Sequence, residues 1–370
     1  MDAHEALVGL NLVADIGSIR LRRLIEIFGS AQRILKASVE QLTQVDGIGQ
    51  GTAARIAGLD PGAVDKEFVL AARAGIKILT VESAEYPKNL KFIPDPPIVL
   101  YVQGTFVPED ILSLAIVGSR SASLYGLQHA EEFATNLAGC CCTIVSGMAR
   151  GIDTCAHKGA LKAGGRTIAV IGSGLANIYP PENKDLAAQI ASRGAVVSEF
   201  PMEAAPLKQN FPRRNRVLSG LSLGVLVVEA CRNSGALITA SFALEQGRTV
   251  FALPGKIDSR GAFGTNRLIK DGAVLVSSVE DILEEFPFFM AETGKTAGAG
   301  TEYVAADEGL SCIERALYTI ISTRKATLDE LKEKTGLEFG LITNAILMLQ
   351  LKKKIRQLPG GMFVRSMDAR

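Results

Sequence analysis

The sequence lacks the features that mark membrane proteins and secreted proteins. None of its apolar runs approaches the roughly 18 residues that cross a bilayer. The N-terminus has neither the basic segment nor the apolar segment of a signal peptide. We therefore expect a soluble, cytoplasmic protein that makes no contact with a membrane.

The spacing of the cysteines excludes two further classes of protein. The six cysteines contain no C-x-x-C pair, and three of them are consecutive, at Cys140, Cys141 and Cys142. This pattern suits neither a zinc site nor a disulfide framework. Buried thiols in a reducing compartment are the better interpretation, so the sequence predicts no metal site.

An excess of charge of one sign is also missing, because 40 Lys and Arg residues balance 39 Asp and Glu residues to leave a net charge of +1. A strongly basic chain would indicate nucleic acid or an anionic membrane, and this average does not. The distribution is uneven, however, since residues 204–228 contain no acidic residue. Any nucleic-acid site is therefore expected to be a local patch on a neutral body.

The chain of 370 residues is long enough for two or three domains. Residues 1–65 are predicted to form short helices. A glycine hairpin followed by a helix start lies at residues 45–56, and a similar pattern occurs at residues 15–24. This module resembles a helix-hairpin-helix or SAM-like element. Its glycine amides could face a DNA phosphate or serve only helix packing, and the sequence leaves both interpretations open.

Residues 66–290 are predicted to form the core, with residues 66–110 as a leading extension. From residue 111 onward, apolar strands, glycine turns and amphipathic helices alternate. The strands are expected at residues 114–117, 143–145, 167–171, 195–197, 224–228 and 249–252. Because these runs are apolar without polar alternation, they indicate strands covered by helices on both faces. The predicted fold class is therefore α/β, with a Rossmann-like, doubly wound and mostly parallel sheet.

Residues 291–309 have no periodicity and are predicted to be a linker. Residues 310–370 follow with three helices and a glycine hairpin, which is the pattern of a winged-helix domain. The third helix carries Lys352, Lys353 and Lys354 only at its end, whereas a helix that reads DNA usually has cations along its groove face. A role in protein interaction or packing is therefore as plausible as a role in DNA reading.

Ligands of doubly wound sheets bind at the carboxyl ends of the strands, so the turns after the predicted strands hold the candidate site residues. Gly118, Ser119 and Arg120 follow the first core strand, where backbone amides and a guanidinium could cradle a phosphate. This turn is not the G-x-G-x-x-G motif. An ordinary strand-to-helix turn is the alternative interpretation.

The turn after the second strand repeats this combination of small residues and an arginine, in Ser146, Gly147, Arg150 and Gly151. Asp153 and His157 follow, and together with Ser146 they suggest a hydrolytic triad. However, Asp153 and His157 lie on one helix face at i and i+4, and the turn lacks the G-x-S-x-G pattern of a nucleophile elbow. Capping of the helix start is the better interpretation, so no catalytic residue is predicted.

The remaining turns are rich in glycine and small residues. Residues 172–175 could belong to a dinucleotide site, but no acidic residue follows at the distance that a ribose requires, so no cofactor is predicted. Residues 234–240 and 254–266 have few candidates for an acid or a base. They are expected to add walls to an anion pocket.

The most informative segment is residues 208–216, in which an aromatic residue lies among cations. Its candidate binding residues are Lys208, Phe211, Arg213, Arg214, Asn215 and Arg216. This combination is typical of a site for single-stranded nucleic acid, because the charges follow the backbone while the ring stacks on a base. The alternative is that some of the arginines pair with Glu199, Glu203 or Glu229 and hold the edge of the sheet.

Taken in order, these motifs resemble those of the DNA-processing protein A family (DprA, also called Smf). The motifs are residues 118–120, 146–153, 211–216, 234–240 and 263–266. The resemblance covers the whole Rossmann-like core, and the flanking helical and winged-helix modules agree with the longer members of the family.

The resemblance implies a bacterial recombination mediator that works in natural transformation. Such a protein binds and protects incoming single-stranded DNA and loads the RecA recombinase onto it, including onto DNA covered by single-strand-binding protein. The resemblance also implies a homodimer formed through the Rossmann-like domain. No catalytic activity is established for the family, so the protein is expected not to be an enzyme.

The resemblance also assigns roles to residues of the predicted site. It implies that phosphate is bound by Gly118, Ser119 and Arg120. The family's lysine and stacking aromatic fall on Lys208 and Phe211. The same groove is then lined by Arg213, Arg214 and Arg216.

Two alternative functions would require different features. A Rossmann-like nucleotide hydrolase of the phosphoribohydrolase type would carry a Pro-Gly-Gly-x-Gly-Thr loop with a glutamate soon after. Here Pro254-Gly255 continues into Lys256-Ile257-Asp258, and no glutamate soon follows Gly264-Thr265, which counts against this enzyme. A transcription factor would bind duplex DNA through the isolated residues 311–370.

Overall fold

The structure, a computed structural model, describes residues 1–286, 310, 312–323, 325–335, 337, 339–358 and 361–365. Its two compact units are Met1–Gly139 with Thr143–Leu275, and Cys140–Cys142 with Val276–Arg370. The first unit contains the N-terminal helices and a large sheet. The predicted linker at residues 291–309 lies outside the described residues.

Short helices form the N-terminal part of the first unit, as predicted. They are α1 (Ala3–Leu12), α2 (Ser18–Phe28), α3 (Ala31–Lys36), α4 (Val39–Thr43), α5 (Gln50–Ala57) and α6 (Pro61–Arg73). Side-chain caps define several of their starts: the Asp2 carboxylate accepts from the Glu5 amide at α1, and the Asp60 carboxylate accepts from the Gly62 amide at α6.

Two turns of the same kind join α1 to α2 and α4 to α5. Asp15 and Gly47 take positive φ angles of 70° and 84° at matching positions of these turns. Arg55 of α5 donates to the Asp15 carboxylate in the first turn at 2.7 Å. Arg23 of α2 donates in the same way to Asp46 in the second turn, also at 2.7 Å. The predicted hairpin and the similar pattern before it therefore form two consecutive helix-hairpin-helix units. In each unit, an arginine from the other unit bonds the turn.

A nine-stranded sheet forms the centre of the first unit. Its strands are β1 (Ile76–Thr80), β2 (Val99–Gly104), β3 (Ser113–Val117), β4 (Thr143–Ser146), β5 (Thr167–Val170), β6 (Ala195–Ser198), β7 (Gly224–Val227), β8 (Thr249–Ala252) and β9 (Val274–Leu275). Their order is β1-β2-β6-β5-β4-β3-β7-β8-β9. The pairs β1–β2 and β2–β6 are antiparallel and the other pairs are parallel. The predicted Rossmann-like, mostly parallel sheet is confirmed, with the leading extension as an antiparallel edge.

Helices follow the strands of this sheet. They are α7 (Lys88–Lys91), α8 (Leu124–Gly139), α9 (Ile152–Lys162), α10 (Lys184–Arg193), α11 (Asn210–Leu221), α12 (Gly235–Glu245) and α13 (Phe263–Lys270). Short 3-10 helices cover Pro108–Ile111, Pro181–Asn183 and Arg260–Ala262.

Neighbouring residues of one strand pack against different helices. Val196 of β6 belongs to a hydrophobic cluster with Ile190 of α10. Val197, the next residue, belongs to another cluster with Leu218 of α11 and Ala240 of α12. Both faces of the sheet are therefore covered, which explains why the strand sequences are apolar at consecutive positions.

The order of the strands creates a crevice at one end of the sheet. From β3 the chain builds outward through β4, β5 and β6, whereas from β7 it builds in the other direction through β8 and β9. Because β3 and β7 are neighbours, the connections that follow them diverge to opposite sides. In doubly wound sheets this switch point, at the carboxyl ends of the strands, is where ligands bind.

The second unit contains a small three-stranded sheet in the order β10-β12-β11. Its elements are α14 (Val279–Glu284), α15 (Cys312–Thr323), β10 (Ala326–Thr327), α16 (Leu328–Thr335), α17 (Phe339–Leu351), β11 (Ile355–Leu358) and β12 (Met362–Arg365). The last three helices with the sheet form the predicted winged helix. Its third helix, α17, exposes Leu347, Met348 and Leu351, an apolar surface unlike the cation-lined face of a helix that reads DNA.

Candidate nucleic-acid interface

An open groove of about 840 Å³ lies at the switch point of the sheet. The turns after β3, β4 and β7 and the first turn of α11 line it. The structure brings seven of the predicted binding residues together there: Gly118, Ser119, Arg120, Lys208, Phe211, Arg214 and Asn215. Residues that are far apart in the sequence therefore form a single surface.

Close backbone packing fixes the turn after β3. A Cβ atom on Gly118 would lie 2.5 Å from Cγ1 of Ile152, at the start of α9. Gly151 has a φ of +75°, and a Cβ atom there would lie 2.4 Å from the carbonyl oxygen of Ser119. Both positions therefore require glycine. This close packing holds the backbone of the turn in place, and the Arg120 side chain is exposed at the groove.

A carboxylate already occupies the N-terminus of α8, the helix that follows β3. Glu229, just after β7, is buried, and its carboxylate accepts the amide of Ser123 at 2.9 Å and the Ser123 hydroxyl. In dinucleotide-binding folds the pyrophosphate lies at this helix terminus. An anionic cofactor bound there would have to displace Glu229.

A buried arginine forms the floor of the groove. A Cβ atom on Gly147 would lie 1.5 Å from Nη1 of Arg214, so only glycine leaves room for this guanidinium. Nη1 of Arg214 lies 3.9 Å from Asp153, whose carboxylate also accepts the amide of Ala149. Burial raises the pKa of Asp153, and the neighbouring Arg214 partly opposes that shift. Asp153 therefore ties the turn after β4 to the floor and does not cap α9 as predicted, since the start of this helix has no side-chain cap.

The side chains that suggested a hydrolytic triad are each bonded elsewhere. The Ser146 hydroxyl is fully buried and donates to the carbonyl oxygen of Ile116 at 2.6 Å. Nδ1 of His157 lies 2.7 Å from the hydroxyl of Thr167 on β5, so this histidine bonds a strand instead of the helix start. Burial lowers the pKa of His157 to about 3 and keeps the imidazole neutral. No nucleophile and base pair is present among these three side chains.

Phe211 lies in the first turn of α11, with its ring against the turn after β5. A Cβ atom on Gly172 would lie 3.1 Å from Cδ1 of Phe211. The ring of Tyr179 is 6.1 Å from that of Phe211, and the guanidinium carbon of Arg120 is 5.0 Å from the Phe211 ring centroid. The predicted phosphate binder and the predicted stacking residue are thus in direct contact, which no local sequence pattern indicates.

Two of the predicted arginines face away from the groove. The side chain of Arg216 is 8% exposed, and its Nη2 atom lies 2.5 Å from Oε2 of Glu199. Arg213 is half exposed, with Nη2 at 3.8 Å from the same carboxylate. Neither arginine is among the residues that line the groove. For this pair the structure shows the alternative raised from the sequence, in which arginines pair with Glu199.

Arg150, in the turn after β4, lies in a small cleft that adjoins the groove. This cleft is also lined by Gly147, Tyr179 and Phe211. The exposed Arg150 side chain forms an ion pair with Glu182. It is therefore near the predicted site, but its charge is partly neutralised.

Sequence reasoning missed the turn after β7. Cys231, Arg232 and Asn233 are exposed in this turn and line the same groove as Lys208. The signal that could have found them is topological, because β7 is the strand beside β3 at the switch point. None of the ion pairs between described residues includes Arg120, Lys208 or Arg232.

The described part of the chain has neither a metal-binding cluster nor a membrane-spanning helix. No group of His, Cys, Asp and Glu side chains there is arranged to hold a metal ion. None of the helices in those residues combines the length and apolar character needed to cross a membrane.

Comparisons with known proteins agree on one family. The sequence matches DNA recombination-mediator protein A over residues 77–287 and the DprA winged helix domain over residues 302–361. Protein Smf of Escherichia coli (strain K12) is 42% identical over 285 residues, which are 77% of this chain and 76% of that protein.

Two solved structures are similar to this chain over much of its length. The X-ray structure of DprA from Streptococcus pneumoniae has a TM-score of 0.65 and 34% identity, covering 75% of this chain and 95% of the other. A structure of DprA from Helicobacter pylori, described for its single-stranded DNA binding mode, has a TM-score of 0.51 and 31% identity, covering 57% and 94%. With its Rossmann-like core and winged helix, the chain belongs to the DNA recombination-mediator protein A family, whose members are named DprA or Smf.

Proposed function

We propose that this protein binds single-stranded DNA in the groove at the switch point and acts there as a recombination mediator. The observation that carries the proposal is the grouping of Arg120, Lys208 and Phe211 in one open groove. Exposed cations beside an aromatic ring are suited to a single strand, because the cations attract phosphates and the ring stacks on any base. Duplex DNA would not offer an unpaired base to this ring.

The contact between Arg120 and Phe211 gives a mechanism for the first nucleotide. In the free protein the guanidinium lies 5.0 Å from the ring centroid. We infer that an incoming base takes that place on the ring, while Arg120 turns to the adjacent phosphate. The amides of the rigid turn at Gly118 and Ser119 then complete the phosphate site.

Family membership supports the finer parts of the proposal. We propose that the protein protects incoming single-stranded DNA and loads RecA onto it during natural transformation, including onto DNA covered by single-strand-binding protein. We propose further that it acts as a homodimer, without catalysis, in the cytoplasm. Joining two grooves in a dimer would give the strand a longer path than one protomer offers.

The domain boundaries at residues 65, 290 and 309 are likewise proposed. Limited proteolysis followed by mass spectrometry tests them, and we expect the first cuts within residues 291–309. Initial cleavage inside the sheet, with residues 291–309 intact, would contradict these boundaries.

A direct test compares single-stranded with duplex DNA of the same sequence by gel shift, with and without RecA. The proposal predicts tighter binding to the single strand and faster assembly of RecA filaments on coated strands. Equal or tighter duplex binding would contradict the proposed site. Binding without any effect on RecA would leave the DNA site standing and remove the mediator role.

The alternative, a nucleotide hydrolase of the phosphoribohydrolase type, finds no support in the loop after β8. Asn266 holds this loop, because its amide group donates to the Gly255 carbonyl at 2.9 Å and accepts the Gly255 amide at 3.1 Å. A neutral amide directly follows Thr265, and the next acidic residue is Asp271, so this part of the chain offers no glutamate of the kind that enzyme needs. Incubation with nucleoside monophosphates is expected to release no free base.

A further inference from the structure

A second pair of an arginine and a phenylalanine lies at the turn after β7. The guanidinium carbon of Arg232 is 4.0 Å from the ring centroid of Phe263, the first residue of α13. The Phe263 side chain is 43% exposed although it is large and apolar. An exposed aromatic ring that stacks on a guanidinium presents the kind of surface that also stacks on a nucleobase.

One member of this second pair lines the groove that holds the first pair, and Phe263 lies beside it. Arg232 lines the same groove as Arg120, Lys208 and Phe211. Arg120 follows β3 and Arg232 follows β7, the two neighbouring strands at the switch point. Each of these two turns therefore carries an arginine that lines the groove and stacks on a phenylalanine of a helix, Phe211 or Phe263.

Backbone hydrogen bonds fix the second pair in position. The amide of Gly264 donates to the carbonyl of Ala230 at 2.7 Å, and the amide of Ala230 donates to the carbonyl of Gly261 at 2.7 Å. A Cβ atom on Gly264 would lie 2.7 Å from the same Ala230 oxygen, so the two segments are in close contact. The start of α13 and the turn after β7 are therefore one rigid support, and a ring held in this way loses little entropy when a base stacks on it.

The segment that leads to the exposed ring carries two further cations. Lys256 and Arg260 are exposed in the segment that precedes Phe263, beside one exposed acid, Asp258. The ion pairs found between described residues include neither of these cations, nor Arg232. The ring thus has cations available for phosphate on the segment that leads to it.

We propose that Phe263 and Arg232 form a second base-stacking site for single-stranded DNA. It would hold a later nucleotide of the strand whose first base stacks on Phe211. This inference rests on the proposed function and extends it, because it predicts the direction in which the strand leaves the first site, across the switch point toward α13. Lys256 and Arg260 would follow the phosphates on that side.

The length of the DNA strand distinguishes binding at the second site from binding at the first. We would measure the affinity of oligothymidylates of increasing length by fluorescence anisotropy for the wild-type chain, Phe211→Ala and Phe263→Ala. Phe211→Ala is expected to weaken binding at every length. Phe263→Ala is expected to leave the shortest strands unchanged and to weaken longer ones by roughly 5- to 150-fold, the loss that corresponds to one stacked base.

Matched variants control for the loss of an exposed ring. Phe92→Ala removes a phenylalanine that is 77% exposed and does not line the groove, so its affinities should equal those of the wild type at all lengths. Phe263→Tyr keeps an aromatic ring and is expected to restore binding of the longer strands. Thermal unfolding verifies that each variant is folded.

Two results would overturn the second site. One is a Phe263→Ala protein that binds all lengths like the wild type, and the other is one that is weakened equally at every length. In either case a wild-type chain that binds single strands, with weaker binding in Phe211→Ala, leaves the proposed function intact. A wild-type chain that binds no single-stranded DNA would instead refute the proposed function itself.

Discussion

Arg120 and Arg216 both belong to the binding set that the sequence predicts, yet their surroundings differ completely. Arg120 is exposed and lies against an aromatic ring in the groove, whereas the Arg216 side chain is 8% exposed and bonded to Glu199. Residue type and local charge density are visible in the sequence. The sequence raises a pairing with Glu199 only as an alternative, because which arginine makes it depends on how α11 packs on the sheet.

The buried pair of Arg216 and Glu199 leads to a stability prediction. Replacing Arg216 by alanine leaves the Glu199 carboxylate buried, where burial already raises its pKa. We expect the free energy of unfolding to fall by about 3–5 kcal/mol, as measured by urea denaturation, because an unpaired buried charge is costly.

Arg213→Ala is the matched control for this prediction. Arg213 lies 3.8 Å from the same carboxylate but its side chain is 53% exposed, so its removal should cost at most about 1 kcal/mol. If Arg216→Ala is as stable as Arg213→Ala, the structural role assigned to Arg216 is wrong.

His157 predicts a pH dependence of stability. Its folded pKa of about 3 lies below the ordinary value, so between the two pKa values the unfolded chain binds a proton that the folded chain rejects. The contribution of neutral His157 to the free energy of unfolding is complete above about pH 6.5. It is lost as the pH falls toward the folded pKa, and the free energy of unfolding then decreases by up to about 1.4 kcal/mol per pH unit. Denaturation curves recorded across this range should show a shallower dependence for His157→Gln. An unchanged dependence would mean that His157 does not titrate in this way.

At the scale of elements, α11 shows where prediction from sequence ends. The apolar strands can be predicted closely because they are local patterns, and the structure places β8 at the residues expected. The cations of residues 208–216 are adjacent in sequence, but a helix turns about 100° per residue. Arg213 and Arg216, three residues apart, therefore both face Glu199, whereas Arg214 faces the floor of the groove.

The packing of α11 against the turn after β4 predicts the effect of a glycine substitution. Gly147→Ala would place a Cβ atom 1.5 Å from the Arg214 guanidinium and move it away from Asp153. We expect a decrease of about 1–3 kcal/mol in the free energy of unfolding. In contrast, Gly139→Ala at the end of α8 meets nothing within 4 Å and should be neutral or slightly stabilising. Thermal melts of the two variants distinguish them, and equal melting temperatures would contradict the described floor.

At the scale of the whole molecule, the net charge of +1 hides a local arrangement. Arg120, Lys208 and Arg232 come from separate segments and line one groove, where the turns of Arg120 and Arg232 are brought together because β3 and β7 are neighbours. The order of motifs is enough to predict the family and most of the groove. The pairing of each arginine with a ring cannot be predicted, since it depends on packing across the switch point.

The winged-helix domain presents an apolar surface that differs from the cationic groove of the first unit. Its third helix exposes Leu347, Met348 and Leu351 and not a row of cations. This surface favours protein interaction over DNA reading, in line with one of the two roles left open by the sequence. The groove of the first unit therefore remains the proposed DNA site.

The central claim is that Arg120 and its neighbours bind the phosphates of a single strand, and salt titration of affinity tests it most directly. For Arg120→Ala, we predict weaker binding for all sequences and a salt slope smaller by about 0.7 for each phosphate that the variant no longer neutralises. Arg267→Ala, which removes an exposed arginine paired with Asp271 outside the groove, should match the wild type. A folded Arg120→Ala protein with wild-type affinity and an unchanged salt slope would contradict the claim.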